Sequence, residues 1–175
     1  WYTRKYLAML NLSGRFVSAA ITNSEAVKAV TVQHEPVSPS NTHVIYNGYE
    51  FEEMQPSVPS DLQELREEYP DALFAGMVAN IRPIKRMEDA VRAVGALSGL
   101  SPVLHLVIIG DGDTGELKAI ARELGIDGQV HFLGPRRDVK GCLAGLDIGV
   151  LCSESEGFSN AVVEYMQAGL PVVCS

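Results

Sequence analysis

Two glutamates, Glu156 and Glu164, stand with seven residues between them, and the segment Gly157-Phe158-Ser159-Asn160 follows the first. An ionised carboxylate accepts hydrogen bonds through two oxygens, so such a pair can hold the hydroxyls of one ligand. The neighbouring elements would position it. An apolar run over 146–152 reads as a buried strand, and Val172-Val173 reads as the start of another. Between them a polar loop gives way to a helix over 160–168, which Gly169 and Pro171 stop. Ser159 or Asn160 supplies the N-cap and turns the first helical N–H groups back toward the loop. A helix that starts at the carboxyl end of a buried strand is a ready anion site. The surroundings of both glutamates are apolar or crowded by backbone, so neither serves stability, and the pair reads as two acceptors flanking a ligand. The alternative is a solvated helix with two unrelated acids, a reading that suits Glu64, Glu67 and Glu68.

A second group gathers positive charge. The segment Asn80-Ile81-Arg82-Pro83-Ile84-Lys85-Arg86 follows a strand expected over 73–79 and puts three cations in five residues. Ligands of α/β sheets sit at that end of a strand, and fixed cations there stabilise a departing anion. Arg82 and Arg86 read equally well as surface charge. A third segment, Gly110-Asp111-Gly112-Asp113-Thr114-Gly115, satisfies G-x-G-x-x-G after a strand. That fingerprint belongs to the first turn of its unit and wants an acid at the tip of the next strand. The next strand ends in Leu133-Gly134-Pro135, so the dinucleotide reading is weak. Arg136 and Arg137 beyond it read as surface charge. His105 and His131 lie inside apolar strands and read as core, and His34 and His43 fall into no triad. Cys142, Cys152 and Cys174 lack metal-ligand spacing and read as small core residues in a reducing compartment.

The supporting elements follow a regular order. Helix is expected over 1–12 and 24–30, strand over 16–22 and 43–46, with a turn at Asn47-Gly48. Residues 49–60, with Pro56 and Pro59, show no periodicity and read as a linker before a short acidic helix over 61–68. Strands then alternate with helices: strand 73–79, helix 87–97, strand 103–109, helix 115–124, strand 129–133, helix 139–146, strand 148–152, helix 160–168, strand 172–174. The strands are continuous apolar runs, which implies burial on both faces. The alternation implies a doubly wound parallel sheet with right-handed crossovers. A chain of 175 residues that is 46% hydrophobic can bury a core. Its net charge of −8 argues against a nucleic-acid partner, and no apolar run reaches the roughly 20 residues of a membrane span.

The run from Glu156 through Glu164, with Ala168-Gly169-Leu170-Pro171-Val172-Val173 after it, resembles the Glu-x7-Glu signature of the retaining group 1 glycosyltransferases of GT-B fold. The N-terminal part is similar too: a strand ending before Asn23-Ser24, a helix, then Val-Ile-Tyr-Asn-Gly at 44–48. The resemblance implies a Rossmann-like α/β domain over 71–175 that binds a nucleoside diphosphate sugar. Residues 1–48 would be the end of an N-terminal acceptor domain, and 49–70 the linker and a short helix. The chain would then be truncated at both ends, about half of the family's enzyme, and inactive alone.

The resemblance also implies roles. Lys85 matches the lysine that neutralises the departing diphosphate. The family's arginine falls on Asn80, with Arg82 two residues later as its replacement. Gly110 and Gly112 give close approach to the donor, and backbone around Leu133 and Gly134 lies near the base. The amides of Gly157, Phe158, Ser159 and Asn160 face the diphosphate, Glu156 holds the donor sugar, and Glu164 holds the ribose. No cofactor and no metal are implied. The acceptor, a sugar, lipid or polysaccharide, would meet the missing domain. The location would be cytoplasmic, with peripheral contact at the inner membrane face left open through that domain. Two other readings stand beside this one: a nucleotide-sugar epimerase of the same fold, and a non-catalytic, flavodoxin-like nucleotide-binding domain.

Overall fold

A computed structural model describes residues 3–49 and 56–175, the side chain of Arg15 excepted. The chain divides into two compact units, Trp1–Glu50 with Glu156–Phe158, and Phe51–Ser155 with Ser159–Ser175. Trp1 and Tyr2 of the expected first helix, and residues 50–55 of the expected linker, lie outside the described residues.

In the first unit, α1 (Arg4–Ser13) begins at Thr3, whose hydroxyl accepts from the Tyr6 N–H at 3.3 Å. Strand β1 (Ala20–Thr22) leads to α2 (Glu25–His34), capped by Ser24, whose hydroxyl accepts from the Val27 N–H at 3.1 Å. Strand β2 (Thr42–Val44) then pairs with β1 in parallel, from Ala20 opposite Thr42 to Thr22 opposite Val44. The strand expected over 16–22 shrinks to three residues. Gly14–Phe16 coil into a 3-10 turn closed by Val17 N–H on the Gly14 carbonyl, and Phe16 is 83% exposed. Apolar character alone does not make a strand where no partner strand lies alongside. The Phe158 ring belongs to this unit, with its centroid 6.1 Å from that of Tyr46 and 6.3 Å from that of Tyr49.

The second unit is the doubly wound sheet. Its elements are α3 (Ser60–Glu68), β3 (Leu73–Val78), α4 (Met87–Leu97), β4 (Leu104–Ile109) and α5 (Gly115–Glu123), followed by β5 (Val130–Gly134), α6 (Val139–Ala144), β6 (Ile148–Leu151), α7 (Asn160–Gln167) and β7 (Val172–Cys174). All five strands are parallel, in the order β5-β4-β3-β6-β7. Strict alternation along β3 and β4 explains the continuous apolar runs. Ala75, Met77, Leu106 and Ile108 pack on one face with Val91 and Val94 of α4 and Leu117 and Ile120 of α5. Phe74, Val107 and Ile109 pack on the other with Leu62 of α3, Leu143 of α6 and Tyr165 of α7. Burial on both faces fails at β7, where Val173 is 62% exposed, because this strand bonds only to β6 and forms an edge among the described residues. Cys174 is consequently exposed, a correction to its reading as core, whereas Cys142 is buried and Cys152 half-buried. Among the described residues no helix is long and apolar enough to cross a membrane.

The strand order reverses between β3 and β6, and that seam is short. Only Ala75–Ile148 and Gly76–Gly149 stand in register. Side chains close both of its ends. At the amino end Asp147 accepts from the Phe74 N–H at 2.8 Å. At the carboxyl end the Tyr165 hydroxyl accepts from the Val78 N–H at 2.7 Å and donates to the Val150 carbonyl at 3.3 Å. Gly149 lets this wedge approach, since a Cβ there would collide with the Tyr165 ring.

Candidate functional site

In a doubly wound sheet the crevice at the strand-order reversal, outside the carboxyl ends, is where ligands sit. Here that is the region beyond β3 and β6. The loop after β3 is stitched on one side to the loop after β4. Ala79 N–H bonds the Ile109 carbonyl at 3.0 Å, Ile81 N–H the Asp111 carbonyl at 2.7 Å, and Asp111 N–H the Asn80 Oδ1 at 3.1 Å. Asn80 is thus a clasp between loops. A Cβ on Gly110 would strike the Ala79 carbonyl, and one on Gly112 would strike Ile81. Close approach of two loops therefore accounts for both glycines. On the other side Glu154 N–H bonds the Ile84 carbonyl at 2.9 Å, which joins the cationic loop to the loop after β6.

The three cations are not equivalent. Pro83–Lys85 form a 3-10 turn, and Arg86 follows in the left-handed region at φ 49°. Its guanidinium pairs with Asp89 at 2.8 Å and Glu88 at 3.5 Å. Arg86 therefore serves the start of α4, while Arg82 is exposed and Lys85 half-buried. Of the third loop, the Leu133 carbonyl accepts from Arg136 Nε at 3.1 Å, the Gly134 carbonyl accepts from Gly110 N–H at 2.9 Å, and Arg136 also pairs with Asp61.

Four helices begin at this end of the sheet, and three bring their own carboxylates. The first turn of α4 holds Glu88 and Asp89. That of α5 holds Glu116, and Asp113 accepts from the Gly115 N–H at 2.8 Å. Asp138 caps α6 by accepting from the Gly141 N–H at 3.0 Å. An acid at a helix start already complements its dipole. The start of α7 differs: its cap is the neutral Ser159, whose hydroxyl accepts from Val162 N–H at 3.4 Å, and no acid stands in its first turn. The own carboxylate on α5 also removes the anion site that a dinucleotide fingerprint would need.

Glu164 lies on α7, half-buried, and no hydrogen-bond donor or cation among the described residues reaches its carboxylate. Burial pushes its pKa up. A partly desolvated carboxylate without a protein partner marks a candidate binding position. Glu156, Gly157 and Phe158 are grouped with the first unit, where a Cβ on Gly157 would collide with Val27. Among the described residues no group of three or more His, Cys, Asp or Glu side chains is placed to hold a metal ion.

Three polar residues escaped the sequence reading. Tyr165 is fully buried and its hydroxyl is pushed up to about 12, chiefly by burial. Ser153 is buried at the end of β6, and Asp147 precedes the same strand. A tyrosine beside Glu164, on a helix that must cover a glycine-bearing strand, was the available signal for the first; nothing local marks the other two.

The amino end of the sheet is also polar; several groups there pair with one another, while Gln129 Oε1, just before β5, and Gln167 Nε2, at the end of α7, are buried without a partner among the described residues. Arg66 donates to Asp147 at 3.1 and 3.4 Å and to the Gly145 carbonyl at 2.9 Å. His105 Nδ1 and His131 Nε2 lie 2.9 Å apart with stacked rings, and Tyr69 lies 4.4 Å from His105, centroid to centroid. A groove of about 490 Å³ opens beside Arg66, Pro70, Leu146 and Asp147, away from the strand ends that carry Glu164 and Lys85.

Comparison with known proteins supplies independent findings. A family profile described as glycosyl transferases group 1 matches residues 69–175. The D-inositol 3-phosphate glycosyltransferase of Corynebacterium kroppenstedtii is 29% identical over 168 residues, covering 89% of this chain and 37% of that protein. The N-acetyl-alpha-D-glucosaminyl L-malate synthase of Bacillus anthracis is 29% identical over 163 residues, covering 87% of this chain and 42% of that protein. Among solved structures, HepE of Anabaena in complex with UDP and glucose matches with a TM-score of 0.83 and 28% identity, over 99% of this chain and 48% of that one. Its complex with UDP-glucose matches with the same score. The chain thus spans less than half the length of these relatives.

Proposed function

Because the chain belongs to the group 1 glycosyl transferases, we propose that it carries the donor-binding part of an enzyme that moves a sugar from a nucleoside diphosphate sugar to an acceptor, with retention at the anomeric carbon and without a divalent metal. One observation carries this reading: the half-buried Glu164 carboxylate, raised by burial and unpaired among the described residues, on a helix whose start lacks an acid of its own. The helix start takes the diphosphate, because its unsatisfied N–H groups and dipole favour an anion. Lys85 and Arg82 add fixed positive charge where the leaving diphosphate gains negative charge, which lowers the barrier. Glu164 accepts from the ribose hydroxyls. Glu156 is assigned to the hydroxyls of the donor sugar, and the amides of Gly157, Phe158, Ser159 and Asn160 to the diphosphate, on the motif alone. Backbone at Leu133 and Gly134 borders the base, while Asn80, Gly110 and Gly112 hold the loops that shape the crevice. The crystallised complexes of HepE with UDP and UDP-glucose support a uridine diphosphate sugar as the first donor to test. A cytoplasmic setting fits such a donor. The chain by itself is expected not to transfer sugar, since rate gain requires both substrates held together.

Calorimetric titration with UDP, GDP, ADP and their glucose conjugates tests the assignment. One nucleotide series should bind, and Glu164→Ala should weaken its monophosphate, diphosphate and sugar forms alike. Glu156→Ala should weaken only the sugar form. Absence of binding by every nucleotide, or an unchanged affinity in Glu164→Ala, would overturn the reading.

A further inference from the structure

Ser153 stands two residues beyond the last residue of β6, is 7% exposed, and its hydroxyl has no hydrogen-bond partner among the described residues. A hydroxyl removed from water without a partner costs stability, so such a group in a native fold calls for an explanation. Its position suggests one. Cys152 packs against the face covered by α4 and α5. Continuing the alternation of β6 puts Ser153 on the opposite face, the face where Gly149 lies under Tyr165 of α7. The next residue, Glu154, makes the bond to Ile84 that ties this strand end to the Lys85 loop. The buried hydroxyl therefore sits at the start of the β6–α7 connection, on the α7 side, beside the loop that brings the cations. That is also the helix start without a carboxylate of its own.

We propose that the Ser153 hydroxyl donates a hydrogen bond to an anionic oxygen of the donor's diphosphate, as a further positioning residue beside the start of α7. The proposal rests on the donor-site reading above. An anionic oxygen suits a neutral hydroxyl donor because a charge-assisted bond is shorter and stronger than one to a neutral acceptor. The ligand then satisfies a group that the protein leaves unsatisfied, so the hydroxyl contributes to binding and not to the stability of the empty chain.

The test compares the chain with its Ser153→Ala and Ser153→Thr variants. Each is titrated with whichever of UDP, GDP and ADP binds the parent chain best, and with the matching nucleoside. Ser153→Ala should bind the diphosphate about tenfold more weakly and the nucleoside unchanged, and its unliganded melting temperature should stay level or rise. Ser153→Thr, which keeps a hydroxyl, should retain diphosphate affinity within about threefold. An unchanged diphosphate affinity in Ser153→Ala, equal losses for diphosphate and nucleoside, or a lowered unliganded melting temperature would each overturn the proposal. Should Ser153→Ala fail to fold, the hydroxyl is structural and the proposal falls. Failure of the parent chain to bind any of the three diphosphates sinks the donor-site reading and this proposal with it. Binding by the parent with no effect of the variant sinks this proposal alone.

Discussion

Two sets of polar side chains, one at each end of the sheet, are handled differently. At the amino end Asp147 is engaged by Arg66 and the Phe74 N–H, and His105 by His131. At the carboxyl end Ser153 is buried and Glu164 half-buried, each with no side-chain partner among the described residues. A buried polar group that is paired specifies the fold, and one left open is tolerated where a ligand completes it. A recess of about 490 Å³ lies beside Arg66 and Asp147 at the amino end, so concavity there does not mark the candidate site. The state of their hydrogen bonds separates Glu164 and Ser153 from Asp147 and the histidine pair.

The contrast can be broken by exchanging the expected effects. Asp147→Ala should produce the largest change, a loss of about 2–3 kcal/mol in urea unfolding, because it strips three hydrogen bonds from the start of the β3–β6 seam. The partly exposed ion pair supplies the smaller share of that figure. Nucleotide affinity should stay within about twofold. A variant that kept its stability but bound nucleotide poorly would erase the distinction between the ends. Lys85→Ala should show the larger effect on binding, a loss of roughly 10- to 100-fold in affinity for diphosphate and nucleotide sugar alike, with a smaller shift of the unfolding midpoint than Asp147→Ala.

Acid should sharpen the comparison. Burial lowers the pKa of His105, and burial together with the His105 neighbour lowers that of His131 to about 4; the Glu68 charge opposes both shifts. Depressed folded values mean that the neutral pair contributes its stability above the unfolded pKa of about 6.5. That stability is lost as pH falls from there toward 4, at up to about 1.4 kcal/mol per pH unit for each proton taken up. Urea midpoints at pH 7 and pH 5 should therefore differ, and the difference should shrink in His131→Phe. Equal pH dependence in the variant would remove the pair from the account. The smallest expected effect concerns metal: EDTA should change nucleotide affinity by less than about twofold, since the charge partners proposed for the diphosphate are side chains and amides. A large loss restored by Mg²⁺ would redirect attention to Asp111 and Asp113.

Much of the second unit was legible because its signals are local. The helix Met87–Leu97 and the strand Val172–Cys174 fall where periodicity and punctuation put them, and Ser159 is the cap of α7. The alternation of strand and helix was enough for the sheet, and the Glu156–Glu164 run with Gly169 and Pro171 carried the family resemblance. What escaped depends on partners far along the chain. Asp147 reaches Phe74 across 73 positions, and Tyr165 reaches Val78 across 87. β1 is shortened because its partner offers three residues, a fact held in the pairing and not in the apolar run. Arg86 was a different kind of miss. Glu88 and Asp89 stood two and three residues on, in a first helical turn where acids belong, and they identify its partners without any tertiary information.

The Tyr165 wedge gives the β3–β6 seam an unusual clock. An amide bonded within a ladder exchanges its proton with solvent when the strands part, but Val78 N–H is held by a side chain of α7. Its exchange rate follows the seating of that helix. A nucleotide bound at the start of α7 would hold the helix against the sheet, and deuterium uptake at Val78 would slow while amides shared between β3 and β4 kept their own pace. One backbone proton inside the sheet can thus time events at the crevice outside it.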